Sequence, residues 1–499
     1  MKASIYKKVL LITFASLLVL TLLSFAVMYY QVNKAWGEFV PTVNSEQFRS
    51  EQGAYAILNA SVLSQDGERM LANQTIIVRN GIIEALDEGL SVPEHVEVID
   101  ASGKFIIPGL IDAHVHLWQS PNDLLLYLAN GVTHVRELNG SEEHLSWRED
   151  IAAGRPGPDL FVATRRHNTS TGFSALFDRW AAKINPVAST DNMSQHVASI
   201  QSAGYDAIKV YTLLDNDHFV ALQDAAREAN IQILGHIPFD LPLDQVWASD
   251  LKDLGHVEEL VKALDREFGG YTRDDTEEFL QFVRDRSEAV AAELNNNDIA
   301  VVTTLALIES FSAQKLSVED ALSHVHAEYV NTGIAESLGD SFKVMGWLPE
   351  SNIYRLPEDY PEDLIPGNQR YWNAYAEANQ ILLQAMVQQN VLILAGTDAN
   401  VPIMVPGYSL HEELESLVAI GFTPAQALRS ATTTTAQQMN IESGVIREGY
   451  QADLLILNAN PLNNISHTKT IVEVISNGRR YTGEDIENMR EAVRVANQG

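Results

Sequence analysis

The chain has 499 residues, 66 of them acidic against 34 basic, a formal net charge of −32, and 46% apolar side chains. That apolar share supports a buried core and excludes a disordered chain, while the negative balance argues against any phosphate-backbone partner, so no nucleic acid is expected. Cysteine is absent, which excludes disulfides and thiolate metal sites and leaves nitrogen and oxygen as metal donors.

The N-terminal "MKASIYKK" carries Lys2, Lys7 and Lys8, and Val9 to Tyr30 follows without a charge. That run is long enough to cross a bilayer as a helix. The preceding lysines place the N-terminus in the cytoplasm and the rest of the chain on the extracytoplasmic side. Tyr29, Tyr30 and Trp36 suit the interfacial zone. The expectation is an uncleaved anchor over residues 1–30, on the periplasmic side if the cell is Gram-negative. The alternative is a signal cleaved near Ala26, where Ser24-Phe25-Ala26 has a small-x-small pattern. Residues 31–53 are polar and read as a linker.

From Ala54 the pattern is one of short strands between Gly, Asn and Asp turns, with Asn80-Gly81 a strong hairpin signal. After Pro108 strands alternate with helical patterns. The candidate strands are Leu110–His116, Val132–Leu138, Leu160–Thr164, Ala207–Tyr211, Gln232–His236, a short piece ending at His256, Ile299–Thr304 and Val391–Asp398. Eight such repeats over 108–440 predict a (β/α)8 TIM-like barrel. The stretch from Ser310 to Asn390 is long for one connection and predicts extra helices over the barrel mouth. Short strands return over 441–484. Paired with 54–107 they would build a small β-sandwich domain from both flanks of the barrel. Residues 485–499 form a charged, helical tail.

Active sites of such barrels lie at the C-terminal ends of the strands. Strand one ends in His114 and His116, which share a face because side chains alternate along a strand. In "YDAIKVY", Ala207, Lys209 and Tyr211 share the face opposite Ile208 and Val210, so Lys209 is expected inside the barrel. Burial would free its neutral amine, which can take up carbon dioxide as an anionic carbamate. His236, His256 and Asp398 stand at the ends of strands five, six and eight. Any one of these could be a satisfied core residue; six together at five strand ends predict a metal site.

These segments resemble the amidohydrolase superfamily of metal-dependent hydrolases. "PGLIDAHVH", "GYDAIKVY", "GHI", "GHVEE" and "AGTDAN" are similar to its motifs on strands one, four, five, six and eight. "TPAQALRSATTTTAQQMN" followed by "GVIREGYQADLLIL" resembles its C-terminal signature. Within it the chain is similar to the imidazolonepropionase-related branch, which includes Xaa-Pro dipeptidases. The resemblance implies two divalent metal ions, zinc first, with manganese or cobalt also compatible. His114, His116 and Asp398 would hold the more buried ion and His236 and His256 the more exposed one. A carbamylated Lys209 and a hydroxide would bridge them. Asp398 would move the proton from the attacking hydroxide to the leaving amine, and Tyr211 would hydrogen-bond the tetrahedral oxyanion.

Two departures narrow the activity. Asp240 stands where deaminases of the superfamily place a glutamate, and imidazolonepropionase lacks a lysine equivalent to Lys209. The expected reaction is therefore hydrolysis of a C–N bond in a small molecule, a dipeptide or an N-acyl amino acid. A lactonase or phosphotriesterase would use the same pair of metals, and a catalytically inactive, membrane-tethered binding module is the reading from another class. Arg165, Arg166 and His167, just beyond strand three, are candidate ligands for a substrate carboxylate. His411-Glu412-Glu413 is expected to be a capped helix start rather than part of the site.

Overall fold

The computed structural model describes residues 2–337 and 345–497. Met1 of the expected anchor and the last two residues of the expected tail lie outside them. Five strands precede the barrel: β1 (Ala54–Leu63), β2 (Met70–Arg79), β3 (Ile82–Glu88), β4 (Glu97–Asp100) and β5 (Phe105–Pro108). β2 and β3 meet at Asn80-Gly81, both with positive φ (51° and 79°), as the primed hairpin turn requires.

The parallel barrel is built from β6 (Leu110–Val115), β7 (Val132–Gly140) and β8 (Asp159–Thr164). Two short strands, β9 (His167–Thr169) and β10 (Asn185–Val187), lie off its path. It continues through β11 (Ala207–Val210), β12 (Gln232–Gly235), β13 (Leu251–Leu254), β14 (Ala300–Val302) and β15 (Ile393–Leu394). The ring closes where Ala113 N donates to Ala395 O (2.9 Å) and Asp398 N donates to His114 O (2.8 Å). The alternation expected on β11 holds. Ala207 packs inside with Leu138, Phe161, Ala163 and Leu234, whereas Ile208 and Val210 join the outer core beneath the helices. A second interior layer consists of Ala113, Ala300, Val302 and Leu394. Arg136 of β7 and Asp253 of β13 form a buried ion pair at 2.9 Å, each charge offsetting part of the cost of burying the other.

Past the barrel, β16 (Leu454–Leu457), β17 (Ile471–Ser476) and β18 (Arg479–Tyr481) return to the first sheet. β16 pairs with β5, giving one eight-stranded sheet in the order β18-β17-β16-β5-β1-β2-β3, with β4 beside β1. The sheet curls, so that Ile83 N meets Tyr450 O and Ala452 N meets Gly81 O. Its two ends thereby enclose a separate apolar cluster that includes Ile57, Ile76, Ile83, Ile106, Leu454 and Ile475. The tail helix, Gly483–Asn497, buries Ile486, Met489 and Val493. As expected, the span between β14 and β15 holds extra helices, among them Leu305–Leu316 and Ile365–Gln388.

The N-terminal helix runs from Lys2 to Ala35, beyond the uncharged run. Its apolar side chains from Ile5 to Tyr30 are exposed, but Val32, Asn33, Ala35 and Trp36 are buried against the barrel. The expected linker over 31–53 is therefore corrected at its start. Val32 and Trp36 are apolar anchors of a packed cluster with Trp118, Ala181 and Trp347. The polar content of the segment, read as a whole, conceals them.

His411 is buried, with Nε2 3.0 Å from Asn130 O and Nδ1 2.9 Å from Thr468 Oγ1. Burial pushes its imidazole from the ordinary 6.5 down to about 4. The unfolded chain therefore takes up this proton first, so stability is lost as pH falls from about 6.5 towards 4. Between pH 7 and pH 5 this residue alone is expected to cost about 2 kcal/mol. His411→Gln should flatten that part of the profile, measured as urea midpoints of both proteins across the pH range.

Candidate metal centre

Each site residue sits where a strand gives out at one end of the barrel. His114 lies within β6 and His116 follows its last residue, Lys209 is on β11, His236 directly follows β12, and His256 comes two residues after β13. Asp398 differs from expectation in how it is placed. β15 ends at Leu394, so alternation carries only that far. Asp398 has φ 57°, a left-handed conformation that is costly for a non-glycine residue, and the barrel-closing bond to His114 O holds it there. Gly396 makes the approach possible: a Cβ there would lie 2.5 Å from Val302 Cγ1 and 2.9 Å from His114 N.

The donor atoms converge. Asp398 Oδ1 lies 3.3 Å from His114 Nε2 and 3.0 Å from His116 Nε2. One ligand atom from each of the three residues falls within 4.8 Å of the others. Donors bound tetrahedrally to zinc at its usual distances are about 3.4 Å apart, so the spacing fits a cation. Lys209 Nζ is 3.4 Å from His114 Nε2. The His256 ring lies 4.4 Å from that of His114 and 4.9 Å from that of His236. All six residues belong to one cluster, and five of them (His114 excepted) line a single cavity.

The outer nitrogens of His114, His236 and His256 are held, which aims the inner ones. His114 Nδ1 donates to Gly255 O at 2.8 Å. His256 Nδ1 is 3.1 Å from Thr304 Oγ1. His236 Nδ1 is 3.1 Å from Glu259 Oε1 and 3.0 Å from Thr212 Oγ1. Glu259 is itself fixed by Lys262 Nζ at 2.9 Å and by Ile237 N at 3.0 Å. His116 Nδ1 faces Glu137 Oε1 at 3.8 Å. Glu137 also accepts from the backbone N–H groups of Leu117 and Asn139.

Burial governs the charges. It pushes His114 and His256 well below the ordinary imidazole range, leaving neutral rings with lone pairs to offer. It lowers the Lys209 ammonium to about 7, with Asp398 offsetting only part of the shift. Burial alone would raise Asp398, but the imidazoles around it hold the carboxyl well below its usual range. Burial would lower His116 too, but Asp398 and Glu137 beside it raise its imidazole. The neutral His114 and His256 rings, an ionised carboxylate and an amine that gives up its proton near neutrality are donors suited to divalent ions. The glycines beside Lys209 shape its slot. A Cβ on Gly235 would meet Val210 O at 2.3 Å, and one on Gly255 would meet Nζ at 3.2 Å.

The candidates beyond strand three separate. Arg166 lines the cavity, donates through Nη1 to the Tyr211 hydroxyl at 3.3 Å and stacks 4.9 Å from that ring. Arg165 lines a smaller neighbouring cavity with Glu143 and Lys183. His167 is corrected as a substrate contact: it is fully buried, 3.0 Å from both Lys209 O and His196 Nε2, and lines neither cavity. Asp240 is exposed. Glu413 caps the helix Leu305–Leu316 through the N–H groups of Leu305 and Ala306 and so fixes Thr304 beneath His256, a supporting role outside the cavity. Glu137, Glu259 and Thr304 were not read from sequence. Glu259 lies inside "GHVEE", three residues after His256, and that spacing was an available signal.

A family model described as "Amidohydrolase family" matches residues 105–481. The imidazolonepropionase of Staphylococcus aureus (strain JH9) is 22% identical over 413 residues, covering 79% of this chain and 85% of that enzyme. Among solved structures, a bottromycin amidohydrolase is similar with a TM-score of 0.68 at 19% identity, covering 91% of this chain and 92% of that one. A Xaa-Pro dipeptidase with bound methionine in its active site gives a TM-score of 0.56 at 19% identity, covering 86% and 100%. At these identities the structural likenesses speak for the fold. The family match spans most of the chain and takes in all six clustered residues, so the protein belongs to the amidohydrolase family, hydrolases of C–N bonds.

Proposed function

We propose that this protein is a two-metal hydrolase that cleaves an amide bond in a small molecule, either a dipeptide or an N-acyl amino acid. The observation that carries the reading is the convergence of His116, His236, His256, Lys209 and ionised Asp398 on one cavity, with His114 directly behind them. His114, His116 and Asp398 would hold one ion, probed first as zinc, and His236 and His256 a second, with a carbamate on Lys209 shared between them. Such ions acidify water and polarise carbonyls.

The chain's own groups account for the remaining chemistry. Asp398 accepts a proton at its carboxylate and delivers it to the departing nitrogen. Arg166 donates to the Tyr211 oxygen, which leaves the phenol hydrogen free to point at the developing oxyanion. Arg166 Nε is buried without a hydrogen-bond partner among the described residues, and so is available to a substrate carboxylate. Lys262 is less available, because Glu258 and Glu259 already pair with it. The exposed apolar helix Lys2–Ala35 acts as a membrane anchor, with the barrel on the extracytoplasmic side.

Metal analysis of the full chain should find two divalent ions. Chelation should abolish hydrolysis of dipeptides or N-acyl amino acids, and metal should restore it. Turnover of only lactones or phosphotriesters in the same screen would overturn the amide assignment. Asp398→Asn should lower kcat by about 10²–10⁴-fold when assayed in excess metal with both ions verified bound, whereas full activity would remove Asp398 from the proton transfer. Glu259→Gln should leave the fold intact and weaken binding of one ion by about 10–100-fold, read by competitive chelator titration.

A further inference from the structure

The anchor helix does not hang from a flexible tether. Its last turn is built into the barrel mouth: Trp36 Nε1 donates to Ala181 O at 2.8 Å, Lys34 pairs with Glu336 at 2.7 Å, and Lys183 Nζ reaches Asn33 Oδ1 at 3.1 Å. Trp36 and Trp118 pack edge to face at 5.1 Å, and both line the cavity of the metal centre. The end of the helix is thus a wall of the active site, and its direction fixes which face of the barrel turns towards the membrane.

The level of that membrane can be read along the helix. No charge stands between Lys8 and Lys34. About 20 residues cross the hydrocarbon, so a span starting at Val9 ends near Met28, with Tyr29 and Tyr30 in the interface. Phe25 then lies inside the outer edge of the hydrocarbon. Its ring stacks 6.1 Å from that of Trp180, the last residue of the helix Gly172–Trp180 in the loop after strand three. That helix carries Phe173, Leu176, Phe177 and Trp180 at i, i+3, i+4 and i+7. Phe177 and Trp180 turn towards the anchor cluster, while Phe173 and Leu176 are 83% and 67% exposed. Leu213, in the loop after β11, is 66% exposed, and its carbonyl accepts from Thr169 N just ahead of the same helix. In water this apolar rim has nothing to gain; beside an anchor at hydrocarbon depth it has the form of an interfacial helix with its flanking loop.

We propose that the barrel mouth rests on the lipid bilayer through Phe173, Leu176 and Leu213, and that the site draws its substrates from the bilayer. The substrate class is then an amphiphilic amide, an amino acid carrying a long N-acyl chain, rather than a freely soluble dipeptide. The acyl tail enters along Trp36 and Trp118, and the carboxylate end faces Arg166. The substrate part of this proposal rests on the amide-hydrolase reading, and the contact with the bilayer rests on the anchor reading alone.

The absence of cysteine makes the test direct. Full-length Phe173→Cys and Leu213→Cys, each carrying an environment-sensitive NBD label, are reconstituted into phosphatidylcholine vesicles containing nitroxide-labelled phospholipid. Asn296→Cys, at the opposite end of the barrel, is the control. Nitroxide lipid should quench the labels at 173 and 213 by at least half and leave 296 unchanged. Labels at 173 and 213 that behave like the one at 296 would overturn the contact. So would labels shielded from water yet unquenched by lipid, which would point to a second copy or another protein on this face. In the same vesicles, kcat/KM for an N-dodecanoyl amino acid should exceed that for its N-acetyl counterpart by at least tenfold, and Trp36→Ala should narrow the ratio. Equal values would overturn the substrate class. Turnover of neither would count against the amide-hydrolase reading, and the quenching would still decide the contact.

Discussion

One backbone hydrogen bond joins the two ends of the site. Asp398 N donates to His114 O, across 284 positions of sequence (398 − 114), and closes the barrel together with the neighbouring bonds from Ala113 N to Ala395 O and from His116 N to Ala399 O. The same bond holds Asp398 in a left-handed conformation that it would not adopt unaided. Barrel closure and assembly of the cluster are therefore one event. Until β6 and the segment after β15 meet, the Nε2 atoms of His114 and His116 have no carboxylate before them, and only Glu137 faces His116 from its other side. Gly396 belongs to the same constraint, since any side chain there would push the two segments apart.

Closure places the charges in a dry interior, and their neighbours then determine their states. Desolvation is the largest influence on each of the six clustered residues. For His114, His256 and Lys209 it favours the neutral, electron-donating form. Asp398 stays ionised because imidazoles surround it. The carboxylates Glu137 and Glu259 stay ionised under the same burial because histidines adjoin them and, for Glu259, Lys262 does so as well. The buried polar groups thus form paired layers: inner donors facing the cavity, and outer partners for the remaining nitrogens of His114, His236 and His256. Arg136 and Asp253, deeper in the barrel, add one further neutralising pair to the field around Lys209.

Much of this was legible in the sequence, and the limits have physical reasons. Period-two alternation placed Lys209 inside the barrel, because β11 is a regular strand with apolar residues on its other face. The Asn80-Gly81 turn was legible because the left-handed conformation it needs narrows the choice of residue. Asp398 stands out in the sequence although β15 stops at Leu394, four residues before it; its place in the fold depends on closure, which no local pattern encodes. His167 was misassigned because the chain turns at Arg165-Arg166, so that neighbours in sequence face different surroundings. Glu413 supports Thr304 from more than a hundred positions away, and only the folded chain makes that connection visible.

The first residues past the membrane run show why composition misleads at a boundary. Averaged over 31–53 the segment is polar, yet its first six positions contain Val32, Ala35 and Trp36, all buried. Burying these three at the mouth has a mechanical consequence. A helix attached through a flexible linker would move independently of the barrel, whereas one whose final turn is packed against Trp118, Ala181 and Trp347 moves with it. Because Trp36 also walls the cavity, any change in how the helix sits is felt at the clustered histidines. The N-terminal helix and the candidate metal centre are thus parts of one packed cluster, and removing the helix would expose the Trp118 wall to water.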